Sequence, residues 1–93
     1  MNSETVNGQS IACYDNEGRT FDRYAVAFLN TQHNGYFVLP IMTMSKRPND
    51  ANGVCQYGQG VLGPHLGKEI AFDSLPEECR KVVLYHLQVE ASR

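Results

Sequence analysis

The segment Tyr24-Ala25-Val26-Ala27-Phe28-Leu29 is apolar at every position. On a strand, Tyr24, Val26 and Phe28 share one face and Ala25, Ala27 and Leu29 the other. Such a strand needs cover on both faces and belongs in the middle of a sheet. That is a heavy demand on 93 residues, a length that allows one domain. With 42% hydrophobic residues and a formal net charge of -2, the chain has a globular rather than a disordered profile.

The neighbours supply partners. Ser10-Ile11-Ala12-Cys13-Tyr14 is short and β-prone, and the turn-forming Asp15-Asn16-Glu17-Gly18 links it to the apolar strand as a first hairpin. A second turn cluster runs from Asn30 to Gly35, with Asn34-Gly35 as a hairpin signal before a third strand, Tyr36-Phe37-Val38-Leu39. Pro40 removes a backbone donor, so this strand bends or lies at an edge, and Ile41 to Met44 continues it. Residues 45–67 have no period and hold Pro48, Pro64 and five glycines, which predicts a long glycine-rich loop. Lys68 to Phe72 is a short extended piece.

Asp73-Ser74-Leu75-Pro76-Glu77 has the pattern of a capping box, Ser74 accepting from the first turn and Glu77 reaching back. The predicted helix runs over 75–91, with Leu75, Cys79, Val82, Val83, His86 and Leu87 on one face and Tyr85 and Val89 widening it. Leu84 points away from that face. The expected architecture is α+β: a small antiparallel sheet of three to four strands, with one C-terminal helix packed on one face. Residues 1–9 read as a disordered tail and 10–93 as a single domain. One helix covers one face only. Ala25, Ala27 and Leu29 therefore imply a second apolar surface, to be covered by a homodimer partner or a target protein.

No run approaches the roughly 18 apolar residues of a membrane helix, and the polar start of the chain has no signal-peptide pattern. Cys13, Cys55 and Cys79 are an odd number at wide spacing, which argues for a reducing compartment and a cytoplasmic protein.

Four chemistries have candidate residues in the chain. Gly58-Gln59-Gly60-Val61-Leu62-Gly63 spells G-x-G-x-x-G, but Pro64 and Gly67 follow and no helix opens there, so a dinucleotide cofactor is not expected. Cys13, Cys55, Cys79, His33, His65 and His86 could ligate a metal, yet no closely spaced pair occurs and none is expected to do so. A thiol site centred on Cys55, with His65 or His33 as base, is a paper alternative that no spacing supports. No catalytic set emerges. Arg19 and Arg23 in the first hairpin, with Lys46 and Arg47 before Pro48, could face phosphates if they lie close together. A pI near 5.8 disfavours nucleic acid as the main partner.

Tyr14-Asp15-Asn16-Glu17-Gly18, Thr20-Phe21-Asp22-Arg23-Tyr24, His65-Leu66-Gly67-Lys68-Glu69-Ile70 and Leu75-Pro76-Glu77-Glu78-Cys79 stand in that order along the chain. Together they resemble a family of small proteins carried by bacteriophages and other mobile elements, in which glutamine is more usual at the Cys79 position. The resemblance transfers no site residue. It implies a small accessory protein in a bacterial cytoplasm, acting by binding a host protein. The functional expectation is therefore a non-enzymatic protein-binding module, an inhibitor of a host protein. Lys46, Arg47, Tyr57, Arg23 and Tyr36 are its candidate contact residues. The alternatives are a nucleic-acid accessory using Arg19, Arg23, Lys46 and Arg47, and a metal or thiol site at Cys55.

Overall fold

The computed structural model describes residues 4–29 and 39–91, the side chains of residues 90 and 91 excepted. The chain runs through β1 (Glu4–Val6), β2 (Gln9–Asp15), β3 (Tyr24–Phe28), β4 (Leu39–Met44), β5 (Cys55–Gly60), β6 (Lys68–Ile70) and helix α1 (Glu77–Ala91). Two 3-10 turns, Pro64–Leu66 and Phe72–Ser74, flank β6. The sheet is antiparallel in the order β1-β2-β3-β4-β5, with β6 also paired to β2. The α+β layout expected from the sequence is present, with six strands among the described residues instead of three or four.

β3 is central and buried along its whole length, as its continuous apolar run requires. Tyr24, Val26 and Phe28 join Ile11, Cys13, Met42 and Met44 against the helix. From α1 and its approach come Phe72, Leu75, Cys79, Val83 and Leu87, all buried. On the opposite face Ala12, Tyr14, Ala25, Ala27 and Ile41 form a smaller cluster, with Leu29, Leu62 and Leu66 packed against it. The second apolar surface inferred from the sequence is thus buried within the chain. Ala12 and Ala27 are fully inaccessible, so no homodimer is needed to cover them.

Other expectations change. The tail reading of residues 1–9 fails from Glu4 onward. Asn7 and Gly8 both take positive φ (50° and 80°), making a two-residue hairpin turn that pairs Val6 with Gln9. The 45–67 segment is not one loop, because Cys55–Gly60 forms the strand β5 on β4. Pro40 is not at a sheet edge. The Ser45 N–H donates to Val54 O (2.9 Å), which fixes the alternation across β4 and β5 and turns the backbone of Pro40 towards β3. There it has no N–H to give, and the β3–β4 ladder begins one residue later, at Ile41. The capping box is displaced: Ser74 ends the 3-10 turn, and α1 starts at Glu77 with Arg80 N–H bonded to Pro76 O (3.0 Å). Asn34-Gly35 and Tyr36 to Val38 lie outside the described residues.

Candidate functional site

The β3–β4 register pairs Tyr24 with Met44. Continued outward, it brings the 16–23 loop beside the turn that follows β4. At this corner Phe21, Ser45, Lys46, Arg47, Asp50 and Gly53 are among the residues lining a groove of about 300 Å³. Phe21 is 66% exposed. Lys46 and Arg47 are exposed too, and among the described residues neither has an ion-pair partner.

The 45–54 turn is built stiffly. The Ser45 N–H donates to Val54 O (2.9 Å), and the buried Ser45 hydroxyl accepts from Val54 N–H (2.9 Å). Asp50 N–H reaches Arg47 O (3.1 Å), and Gly53 N–H reaches Asp50 O (2.9 Å). A Cβ on Gly53 would lie 2.2 Å from Arg47 O, so only glycine lets the turn close on itself. From below, the Cys79 thiol donates to Ser45 O (3.3 Å). The helix therefore holds the strand end that presents the two cations.

Arg23 is used inside the fold. Its Nε and Nη2 form a two-pronged pair with the Asp15 carboxylate (2.6 and 3.0 Å), and its guanidinium lies 5.3 Å from the Tyr24 ring centre. The bond from Arg23 holds the Asp15 carboxyl below the usual carboxylate range. Arg19 folds back on Asn16 O (3.3 Å) and lines a different groove of about 480 Å³, with Asp15, Glu17 and Lys68. Of the four cations of the nucleic-acid reading, Lys46 and Arg47 thus line one groove and Arg19 another, and Arg23 is already paired. Tyr57 is 54% exposed, but its ring stacks on His86 (centroids 4.8 Å apart), which stacks in turn on Phe28 (4.7 Å). It ties β5 to α1. Tyr36 and His33 lie outside the described residues. Of the four candidate contact residues that are described, Lys46 and Arg47 alone stand together on this open corner. Phe21, which completes it, was missed. It stood in the sequence as an aromatic in a polar stretch, Arg19-Thr20-Phe21-Asp22-Arg23, where no core position was called for.

The cysteines and histidines do not assemble. Cys55 is paired with Met44 and so projects from the helix-bearing face. His65 lies in a groove with Gln56 and Gly58 on the other face. No group of three potential metal ligands occurs among the described residues. Burial pushes the Cys13 thiol up to about 12, helped by Glu4 and Glu69, and the Cys79 thiol up to about 11, helped by Glu78 and Cys55. Partial burial raises Cys55 as well. All three are moved away from the reactive thiolate. Gly58 and Gly60 sit inside β5, and Gly63 precedes a single 3-10 turn, so the G-x-G-x-x-G string opens no helix. No described helix is long and apolar enough to cross a membrane. No protein-family model, curated protein or solved structure matches this chain.

Proposed function

We propose that the protein is a small non-enzymatic protein-binding module whose contact surface is the corner formed by Phe21, Lys46 and Arg47. One observation carries the reading. A large aromatic side chain stands in solvent beside two cations that have no ion-pair partner among the described residues, on a turn braced by Ser45 and Cys79. An exposed phenylalanine gives the fold little, whereas burying it against a partner is worth roughly 1.5–3 kcal/mol. Bracing the turn beforehand removes part of the ordering cost of association. The overall charge is -2, so the positive corner runs against the average and favours a partner that presents carboxylates beside an apolar side chain. The resemblance to mobile-element proteins completes the proposal with a bacterial cytoplasm and a host protein as target.

The test is affinity capture from nuclease-treated bacterial lysate, comparing the wild type with Phe21→Ser and with Lys46→Glu/Arg47→Glu. Support is one host protein held at near-stoichiometric amounts by the wild type and reduced about tenfold or more by each variant. Capture at full strength by both variants removes this corner from the interface. Capture that vanishes with nuclease favours nucleic acid instead.

A further inference from the structure

Gly58 has no local reason to be glycine. It is in the middle of β5, its φ is not left-handed, and among the described residues a Cβ there would meet nothing within 4 Å. A glycine inside a strand is disfavoured by roughly 0.5–1 kcal/mol relative to alanine, and in such places it often marks the close approach of another molecule. Gly60, two residues on, is different, since a Cβ there would come within 3.1 Å of Ile41 Cδ1.

The space left open at Gly58 belongs to a groove of about 330 Å³ on the sheet face opposite α1. Gly58 pairs with Ile41 and Gln56 with Thr43, so these four share that face, and Asp22 and His65 stand at the groove beside them. The His65 ring lies close to Gly63, where a Cβ would come within 3.0 Å of Nδ1. This groove does not include Phe21, Lys46 or Arg47.

The lining limits the ligand. Among the described residues it holds one carboxylate and no lysine or arginine, which disfavours phosphates and other anions. The Tyr57 ring is stacked on His86 and Phe28 across the sheet, so it offers no platform for a nucleobase here. What remains is a carboxylate, an amide, a hydroxyl and an imidazole around a bare stretch of backbone with Ile41 beside it. The carboxylate accepts hydrogen bonds and the amide and hydroxyl both donate and accept, which matches the adjacent hydroxyls of a sugar. We propose that this groove binds a neutral sugar ring, with the bare backbone of Gly58 as its floor. Asp22 and Gln56 take paired hydroxyls, and the C–H face of the ring lies over Gly58 and Ile41.

The test is saturation-transfer NMR with glucose, galactose, mannose and N-acetylglucosamine, and with adenosine and putrescine as probes of other chemistry. Expected is a signal from at least one sugar on the wild type that disappears in Gly58→Val. That variant melts at or above the wild-type temperature, because valine suits a strand and its space is open. Gln56→Ala changes an exposed side chain without filling the groove, and it weakens the same sugar about fivefold or more. Absence of any sugar signal on the wild type overturns the proposal. So does an unchanged signal in Gly58→Val, unchanged affinity in Gln56→Ala, or binding of adenosine or putrescine in place of the sugars.

Discussion

Ser45 links the proposed contact surface to the core. Its hydroxyl is buried and accepts the Val54 N–H, while its carbonyl receives the Cys79 thiol. Ser45→Ala leaves that half-buried N–H without its acceptor, which lowers stability by about 0.5–1.5 kcal/mol in urea unfolding. A loss below ~0.5 kcal/mol would mean that the turn closes without it. Gly67 is a second fixed point. Its φ is +98°, and a Cβ would lie 2.3 Å from Asp15 O and 2.5 Å from Asn16 Cα, both backbone atoms. Gly67→Ala must push β2 and the β6 approach apart, so a loss of about 3 kcal/mol or more is expected; a wild-type melting curve would refute the close approach. At this scale the sequence was only partly readable. Lys46 and Arg47 were picked out as cations before a proline, but Arg23 looked the same on paper. Only the register that sets Asp15 opposite Tyr24 reveals that Arg23 is spoken for.

At the scale of elements, the free side of β2 is closed by two short strands placed end to end. β1 covers Gln9 to Ile11, and β6 covers Cys13 to Asp15. The Glu4 carboxylate joins the two by accepting the Phe72 N–H (2.6 Å). Short strands of this kind blunt an edge that would otherwise pair with another chain. Removing residues 1–6 opens that edge. Expected are a stability loss of about 1 kcal/mol or more and concentration-dependent self-association in sedimentation. A truncated chain as stable as the full one and sedimenting with the same concentration dependence would restore the tail reading. β1 did carry a signal, Asn7-Gly8, but three residues of Glu-Thr-Val before it are too few to show a period. β5 carried none. Cys-Gln-Tyr-Gly-Gln-Gly lacks an apolar face and contains two glycines, so it is a strand only because β4 offers it a ladder. By contrast β3 and α1 were legible, since an unbroken apolar run and an i, i+4 stripe state their own burial.

For the whole molecule, the one helix and the two apolar sheet faces posed the central problem, and the fold solves it unequally. The helix covers the face bearing Val26 and Phe28, while residues from the 61–67 segment pack against the alanine face. The alanines made that second face shallow enough for a loop to help close it, which alternation alone could not disclose. Cys13 and Cys79 lie in the helix-covered core, and their raised thiols make stability depend on alkali. Up to about pH 8 both states keep their protons. Above roughly pH 9 the unfolded chain ionises while the folded one does not, so stability falls by on the order of 1.4 kcal/mol per pH unit for each thiol. The loss runs on until the folded thiols ionise, at about 11 for Cys79 and about 12 for Cys13. Urea midpoints should therefore be level from pH 7 to 8 and decline from pH 9 to 10.5, with the slope roughly halved in Cys79→Ala. A level profile to pH 10.5 would place the thiols in solvent. The protein-binding reading itself is tested most directly by the nuclease-treated capture with wild type, Phe21→Ser and Lys46→Glu/Arg47→Glu side by side. A single host protein retained by the wild type and lost from both variants is the predicted result; equal retention by all three, or none by the wild type, would contradict it.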